Sequence, residues 1–135
     1  MIVVLDASAA VHVVLNGPKA GLITPALSSA DAVIAPDLLS AEVGNALWKY
    51  VRAGQLDLDR ALTGLADALD LVTDLLPLST LGAEALSESV RLDHPVYDLL
   101  YVVATRRAAA TLLTVDRRLG DLARRVGVRV IGTSG

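Results

Sequence analysis

The chain of 135 residues contains no cysteine. Disulfide frameworks and thiolate-bound metal centres are therefore excluded. Aromatic side chains are scarce, at 3% of the sequence, which argues against a base-stacking platform of the single-strand-binding type. Lysine is nearly missing: Lys19 and Lys49 are the only two, both early in the chain. Long apolar runs are missing as well. The longest stretches without a charged residue, 7–18 and 20–30, are too short to span a bilayer. No basic segment precedes the first apolar run, and that run is shorter than a secretory signal. The expectation is a cytoplasmic protein with no membrane segment. Nor is there an excess of positive charge. The net charge is −3, so the bulk electrostatics do not mark a nucleic-acid binder.

What is present is apolar side chain, 53% of the residues, with a mean hydropathy of +0.54. For a chain long enough to fold as one domain, residues 1–135, without staples, that excess reads as one or more buried subunit interfaces. The basic residues are unevenly placed. Ten of the twelve are arginine, and seven of those lie in the last third of the chain.

The first apolar run, residues 2–5, does not alternate and suits a strand buried on both faces. It ends in Asp6-Ala7-Ser8. Helices are predicted over residues 7–15 and 19–30, the first stopped by Asn16-Gly17-Pro18. A second strand follows at 32–35, closed by Pro36. From Asp37 to about Arg52, the spacing of Leu39, Val43, Ala46, Leu47 and Tyr50 makes one apolar helical face. Another helix begins after Asp57 or Asp59, with Leu62, Leu65, Ala66, Leu69 and Val72 as its stripe. Then come a strand at 74–78, a helix at 80–92, and a helix from Val96 that is apolar nearly all round and hence buried. A fourth strand at 111–115 leads to Asp116, a helix covers 117–126, and a last strand 128–131. Strands alternating with helices predict a three-layer α/β/α sandwich around a mostly parallel five-stranded sheet.

Four carboxylates occupy unusual places in this pattern. Asp6 and Asp116 each end a buried strand, at the edge of the sheet where α/β proteins bind ligands. Asp98 falls in the first turn of the wholly apolar helix, and Glu42 borders the stripe of the helix that follows the second strand. All four can converge on one side of the sheet. Like charges gathered in a partly desolvated pocket repel, and a divalent cation removes the conflict. Oxygen ligands without His or Cys favour Mg²⁺ or Mn²⁺ over zinc, and such sites act on phosphate esters. The chemistry implied is phosphodiester hydrolysis. Each acid also admits a plainer reading. Asp98 suits a helix dipole, Asp116 and Asp6 suit helix N-caps, and Glu42 suits a wet flank.

Asp6-Ala7-Ser8, Glu42-Val43-Gly44-Asn45-Ala46-Leu47, the run Tyr97-Asp98-Leu99-Leu100-Tyr101-Val102-Val103-Ala104 and Thr114-Val115-Asp116-Arg117-Arg118-Leu119 resemble the four signature blocks of PIN-domain ribonucleases. The VapC toxins of prokaryotic toxin–antitoxin pairs match best. The blocks stand in the family's order and spacing and cover the whole chain. The resemblance implies a five-stranded parallel sheet, Mg²⁺- or Mn²⁺-dependent endoribonuclease activity on RNA, a homodimer, and inhibition by a VapB-type antitoxin whose C-terminal peptide enters the acidic site. Carried over by position, it makes Asp6, Glu42, Asp98 and Asp116 the acidic metal-binding set, with no departure at any of the four. Ser8, Asn45 and Thr114 are the matching polar neighbours. The spacing agrees for two of these: Asn45 is one turn from Glu42, and Thr114 shares a strand face with Asp116.

His12, one turn beyond Ser8, is a candidate proton shuttle, with packing or surface as the alternative, and His94 is read as a loop residue before Pro95. Arg117, Arg124 and Arg125 have spacings that allow one face for RNA phosphates or, equally, a solvated face. Arg106 and Arg107 suit a helix C-terminus. Trp48 and Tyr50 belong to the core or to a partner groove. An aspartyl-phosphate enzyme of the haloacid-dehalogenase type, or a receiver domain, would also start from a strand ending in Asp-x-Ser. Both need a late lysine, which this chain lacks. The remaining alternatives are a catalytically idle PIN-like binding module and a stand-alone RNA-processing PIN nuclease.

Overall fold

The computed structural model describes residues 1–134. At its centre is β1 (Ile2–Leu5), in which Val3, Val4 and Leu5 are fully buried. The strands β2 (Ala32–Pro36), β3 (Asp74–Leu76), β4 (Thr111–Leu113) and β5 (Arg129–Ile131) join it in the order β3-β2-β1-β4-β5. Every pairing is parallel, so the sheet is wholly rather than mostly parallel. Val4 lies opposite Ile34 on one side and Leu112 on the other.

Side chains alternate across a strand, and β1 divides its own accordingly. Val3 and Leu5 join one core with residues of α1 (Ala7–Val14), α2 (Ala20–Ser29), α3 (Leu38–Arg52) and α4 (Leu58–Asp70). Val4 joins the other, with α5 (Gly82–Leu92), α6 (Val96–Arg107) and α7 (Arg117–Arg125). Those two cores on either face of one sheet make the three-layer α/β/α sandwich. In α6 every residue from Leu99 to Thr105 is buried, as its uninterrupted apolar sequence predicts. It is held to α5 by Arg106 and Arg107, which pair with Glu84 and Glu88. No helix among the described residues is long and apolar enough to cross a membrane.

Most boundaries shift by a residue or two from the sequence pattern, and three of the shifts have a local reason. β3 stops at Leu76 because Pro77 has no N–H to offer the ladder, and a short 3₁₀ turn, Leu78–Thr80, follows before α5. β4 ends at Leu113. Beyond it, the N–H groups of Val115 and Asp116 turn from the ladder to the hydroxyls of Ser8 and Thr114. α1 ends at Val14, one residue early, and the Leu15 N–H closes it on the Val11 carbonyl.

The chain leaves β1 toward β2 and β3 on one side, then returns to place β4 and β5 on the other. The point where strand order reverses, between β1 and β4, opens a crevice at the carboxyl ends of the strands. Asp6 follows β1 there, and Asp116 follows β4.

Candidate active site at the carboxyl edge of the sheet

Asp6 is the buried floor of this edge, at 4% exposure. Its Oδ1 accepts the Ala9 N–H at 2.9 Å, capping α1, and the Ser8 hydroxyl at 2.8 Å. Its Oδ2 accepts the Thr114 hydroxyl at 2.6 Å. Both hydroxyls are used twice. Ser8 Oγ accepts the Val115 N–H at 3.1 Å, and Thr114 Oγ1 accepts the Asp116 N–H at 3.0 Å. Two relays, backbone N–H to hydroxyl to carboxylate, thus tie the end of β1 to the segment after β4. Burial pushes the Asp6 carboxyl up to about 7 from 3.8, and the nearby Asp116 charge adds to it. The donors from Thr114, Ala9 and Ser8 pull the other way.

Glu42 comes from the second turn of α3, the helix that starts where β2 ends. Its Oε1 accepts the Tyr101 hydroxyl at 2.7 Å. Burial raises its pKa, as do the charges of Asp98 and Asp116, against the Tyr101 bond that lowers it. Asp98, in the first turn of α6, has its Oδ2 2.8 Å from His94 Nε2. Asp116 caps α7, its Oδ1 accepting the N–H groups of Arg118 and Leu119. For Asp6 and Asp116, then, the plainer reading as an N-cap also holds. Capping uses Oδ1 of each, and among the described residues no hydrogen bond engages Oδ2 of Asp116.

Tyr101 lies beneath the acids and holds one of them, Glu42. The ring is buried, and its phenol is raised first by burial and then by the charges of Glu42, Asp6 and Asp98. It stays protonated and donates to Glu42. Above it a cleft of about 600 Å³ is lined by Glu42, Asn45, Lys49, Tyr97 and Asp116 among others. The acids crowd one another without forming a finished cage. Among the described residues, no three His, Cys, Asp or Glu side chains close on a single point. The donor set nonetheless fits a hard divalent cation. It is all carboxylate oxygen, the one imidazole beside it is already bonded to Asp98, and the mutual repulsion is what such an ion relieves.

Ser8 and Thr114 therefore touch Asp6 directly, while Asn45 shares the cleft with Glu42 and Asp116. His12 turns elsewhere, its Nδ1 accepting the Lys19 N–H at 3.4 Å in the loop after α1. The three late arginines part. Arg124 is fastened to Thr133, Arg117 lines a cavity with Lys19, and Arg125 lines a hollow with Arg118 and Asp121. Tyr50 packs on the core and lines the cleft, whereas Trp48 is exposed under the Arg52 guanidinium. Two contributors escape the sequence reading, His94 and Tyr101. His94 lies in the loop before α6, where the sequence places it, and only its contact with Asp98 four residues on is new. Tyr101 is one of two tyrosines in the first half of α6, and unlike the exposed Tyr97 it is buried against Glu42.

No family model matches the sequence. A curated relative, Ribonuclease VapC3 of Pyrobaculum aerophilum, is 33% identical over 125 residues, spanning 90% of this chain and 94% of the relative. Among solved structures, PAE2754 from Pyrobaculum aerophilum superposes with a TM-score of 0.72 at 24% identity, over 96% of this chain and 83% of that one. VapBC2 from Rickettsia felis, bound to a DNA fragment from their promoter, superposes with a TM-score of 0.65 at 14% identity, over 96% and 97%. These two likenesses are of fold. The identity to VapC3, sustained along nearly all of both chains, makes this protein a member of the VapC family of PIN-domain ribonucleases.

Proposed function

We propose that the chain is a Mg²⁺- or Mn²⁺-dependent endoribonuclease, folded as one PIN domain over residues 1–135. In this reading it acts as the toxin of a type II toxin–antitoxin pair, a cytoplasmic homodimer restrained by a VapB-type antitoxin. One observation carries the reading: Thr114 joins Asp6 to the Asp116 backbone at the strand ends, and Asp116 lines one cleft with Glu42, which Tyr101 holds. Carboxylates brought this close at a topological switch point, against the cost of their repulsion, are arranged for a cation and a phosphate. The name of the VapC3 relative supports ribonuclease action, and the VapBC2 complex supports an antitoxin partner.

Asp6, Glu42, Asp98 and Asp116 would hold the ion, and Ser8, Asn45 and Thr114 would order their surroundings. Bound there, the cation supplies stabilisation of the charge developing on the phosphate and lowers the pKa of an attacking water. The chain's own groups prepare the site. Ser8 and Thr114 fix the Asp6 carboxylate on the sheet edge, so its lone pairs need no reorganisation when substrate arrives. Tyr101 aims Glu42 and His94 aims Asp98 through one hydrogen bond each. The cleft admits the sugar–phosphate backbone beside Asn45 and Lys49.

Purified, antitoxin-free protein should cleave RNA with Mg²⁺ or Mn²⁺ and stop in EDTA. Asp6→Asn and Asp98→Asn should each lose about a hundredfold or more in rate, the scale of a lost charge-stabilising group. Cleavage that persists in EDTA, or that survives both substitutions, overturns the metal-nuclease reading. Failure to cleave any RNA pool with either ion favours the idle binding module. A short neighbouring open reading frame for a DNA-binding antitoxin is expected beside the gene, and its absence favours a stand-alone RNA-processing nuclease.

A further inference from the structure

A second cavity, of about 590 Å³, lies beyond the carboxyl ends of β4 and β5, with Lys19, Val115, Arg117, Gly132 and Thr133 among its walls. Lys19 and Arg117 are both exposed. Among the described residues neither takes part in an ion pair.

Both walls are built into the fold. On one side Gly132, at φ +117°, sits where any Cβ would run into the Thr114 carbonyl and the Ile23 side chain. Only glycine lets the chain after β5 pass so close to β4. The same segment is fastened by the Thr114 N–H to the Ile131 carbonyl at 3.0 Å, and by the Arg124 guanidinium to Thr133. On the other side, the loop that carries Lys19 is bound back onto α1. The Gly17 N–H donates to the His12 carbonyl at 2.7 Å, and the Lys19 N–H to the His12 imidazole. His12 thus positions Lys19, a different task from the proton shuttle its spacing suggests.

The cavity adjoins the acidic cleft through one short segment. Thr114 holds Asp6, Val115 and Arg117 line the cavity, and Asp116 between them lines the cleft. The chain's two lysines therefore line the hollows on either side of Asp116, Lys49 the cleft and Lys19 the cavity. A polyanion drawn to a group of carboxylates needs cations under its neighbouring phosphates. An unpaired guanidinium beside an ammonium matches phosphate oxygens.

We propose that this cavity is a phosphate subsite for single-stranded RNA, in which Lys19 and Arg117 seat the backbone phosphate next to the one in the acidic cleft. The inference rests on the nuclease reading above and adds the direction in which the strand leaves the cleft, over β4 toward β5. Arg124 takes no part, because Thr133 already holds it.

The test is binding and cleavage of an oligouridylate by the full chain and by Lys19→Gln, Arg117→Gln and the double variant, with Arg60→Gln on α4 as control. Each single variant should raise KM about three- to tenfold with kcat within twofold. Each should also lower the slope of log affinity against log salt by about 0.7, the value for one phosphate contact on a single strand. Lys19→Arg should restore both. If the natural chain cleaves and the variants keep its KM and salt slope, the subsite is overturned while the nuclease reading stands. If the natural chain cleaves an RNA pool but neither binds nor cleaves the oligouridylate, the subsite is overturned while the nuclease reading stands. If it cleaves no RNA of any pool, both fall. If the double variant keeps its RNA affinity but loses affinity for an acidic peptide, the cavity docks protein and the proposal is overturned.

Discussion

The strand-borne and helix-borne acids of the site are held differently. On the strand side, Asp6 is buried and accepts from Ala9, Ser8 and Thr114, with backbone N–H groups fixing both hydroxyls from behind. On the helix side, Glu42 and Asp98 are each held by one side chain, Tyr101 and His94, and Asp98 retains 26% side-chain exposure. The difference teaches where rigidity is needed. A carboxylate placed by two parallel strands is fixed from both of them, whereas each helical acid rests on a single side-chain contact. That is consistent with a site whose acids crowd one another without a finished cage among the described residues.

The largest expected effect breaks this contrast at Asp6. Burial raises its folded-state pKa to about 7, above 3.8, so between roughly pH 4 and 7 the folded protein keeps a proton that the unfolded chain releases. Stability contributed by this group is present below that window and is lost as pH rises through it. The full penalty above pH 7 is on the order of 2–4 kcal/mol. Asp6→Asn removes it. Urea unfolding in EDTA should therefore show the variant gaining on the natural chain from pH 4 to 8, and saturating Mg²⁺ should narrow the gap. A difference that stays flat with pH would show that Asp6 is not the strained group.

Next is Thr114→Val, which keeps the shape but leaves a buried Asp6 oxygen and the Asp116 N–H short of a partner. It should cost about 2–3 kcal/mol in chemical denaturation. A cost under half of that would mean the strand side is no more tightly determined than the helix side. Smaller still is Tyr101→Phe, which frees Glu42 at a cost of about 1 kcal/mol. The rate should fall less than it does for Asp6→Asn, since Glu42 itself remains. Equal losses from the two substitutions would erase the contrast.

Much of the site is legible in the sequence because its geometry follows from the ends of elements. Asp6 and Asp116 can be placed from the apolar runs that precede them, and Glu42 from its offset to the Leu39–Val43–Leu47 stripe. Thr114 follows from its spacing to Asp116, and Ser8 only from the resemblance of its block. Tyr101 and His94 are not legible in this way. The first meets Glu42 across 59 residues, and the second is a loop residue, as its sequence suggests, whose contact with Asp98 depends on how that loop turns into α6. The arginines of α7 illustrate the same limit. Helical spacing allows Arg117, Arg124 and Arg125 a common face, yet what each one meets depends on how the segment after β5 folds back.

By itself, then, the sequence determined the alternation of elements, the burial of β1 and α6, and the presence of carboxylates at strand and helix ends. Hydrophobic periodicity and capping are local properties and need no partner to be read. Tertiary structure alone decided the strand order that puts β4 beside β1, and with it the hydroxyl relays to Asp6. It also decided the contact of the Tyr101 phenol with Glu42 and the cavity that Lys19 and Arg117 line. Each of these depends on contacts between residues far apart in the chain, and their energies exist only once the layers have packed.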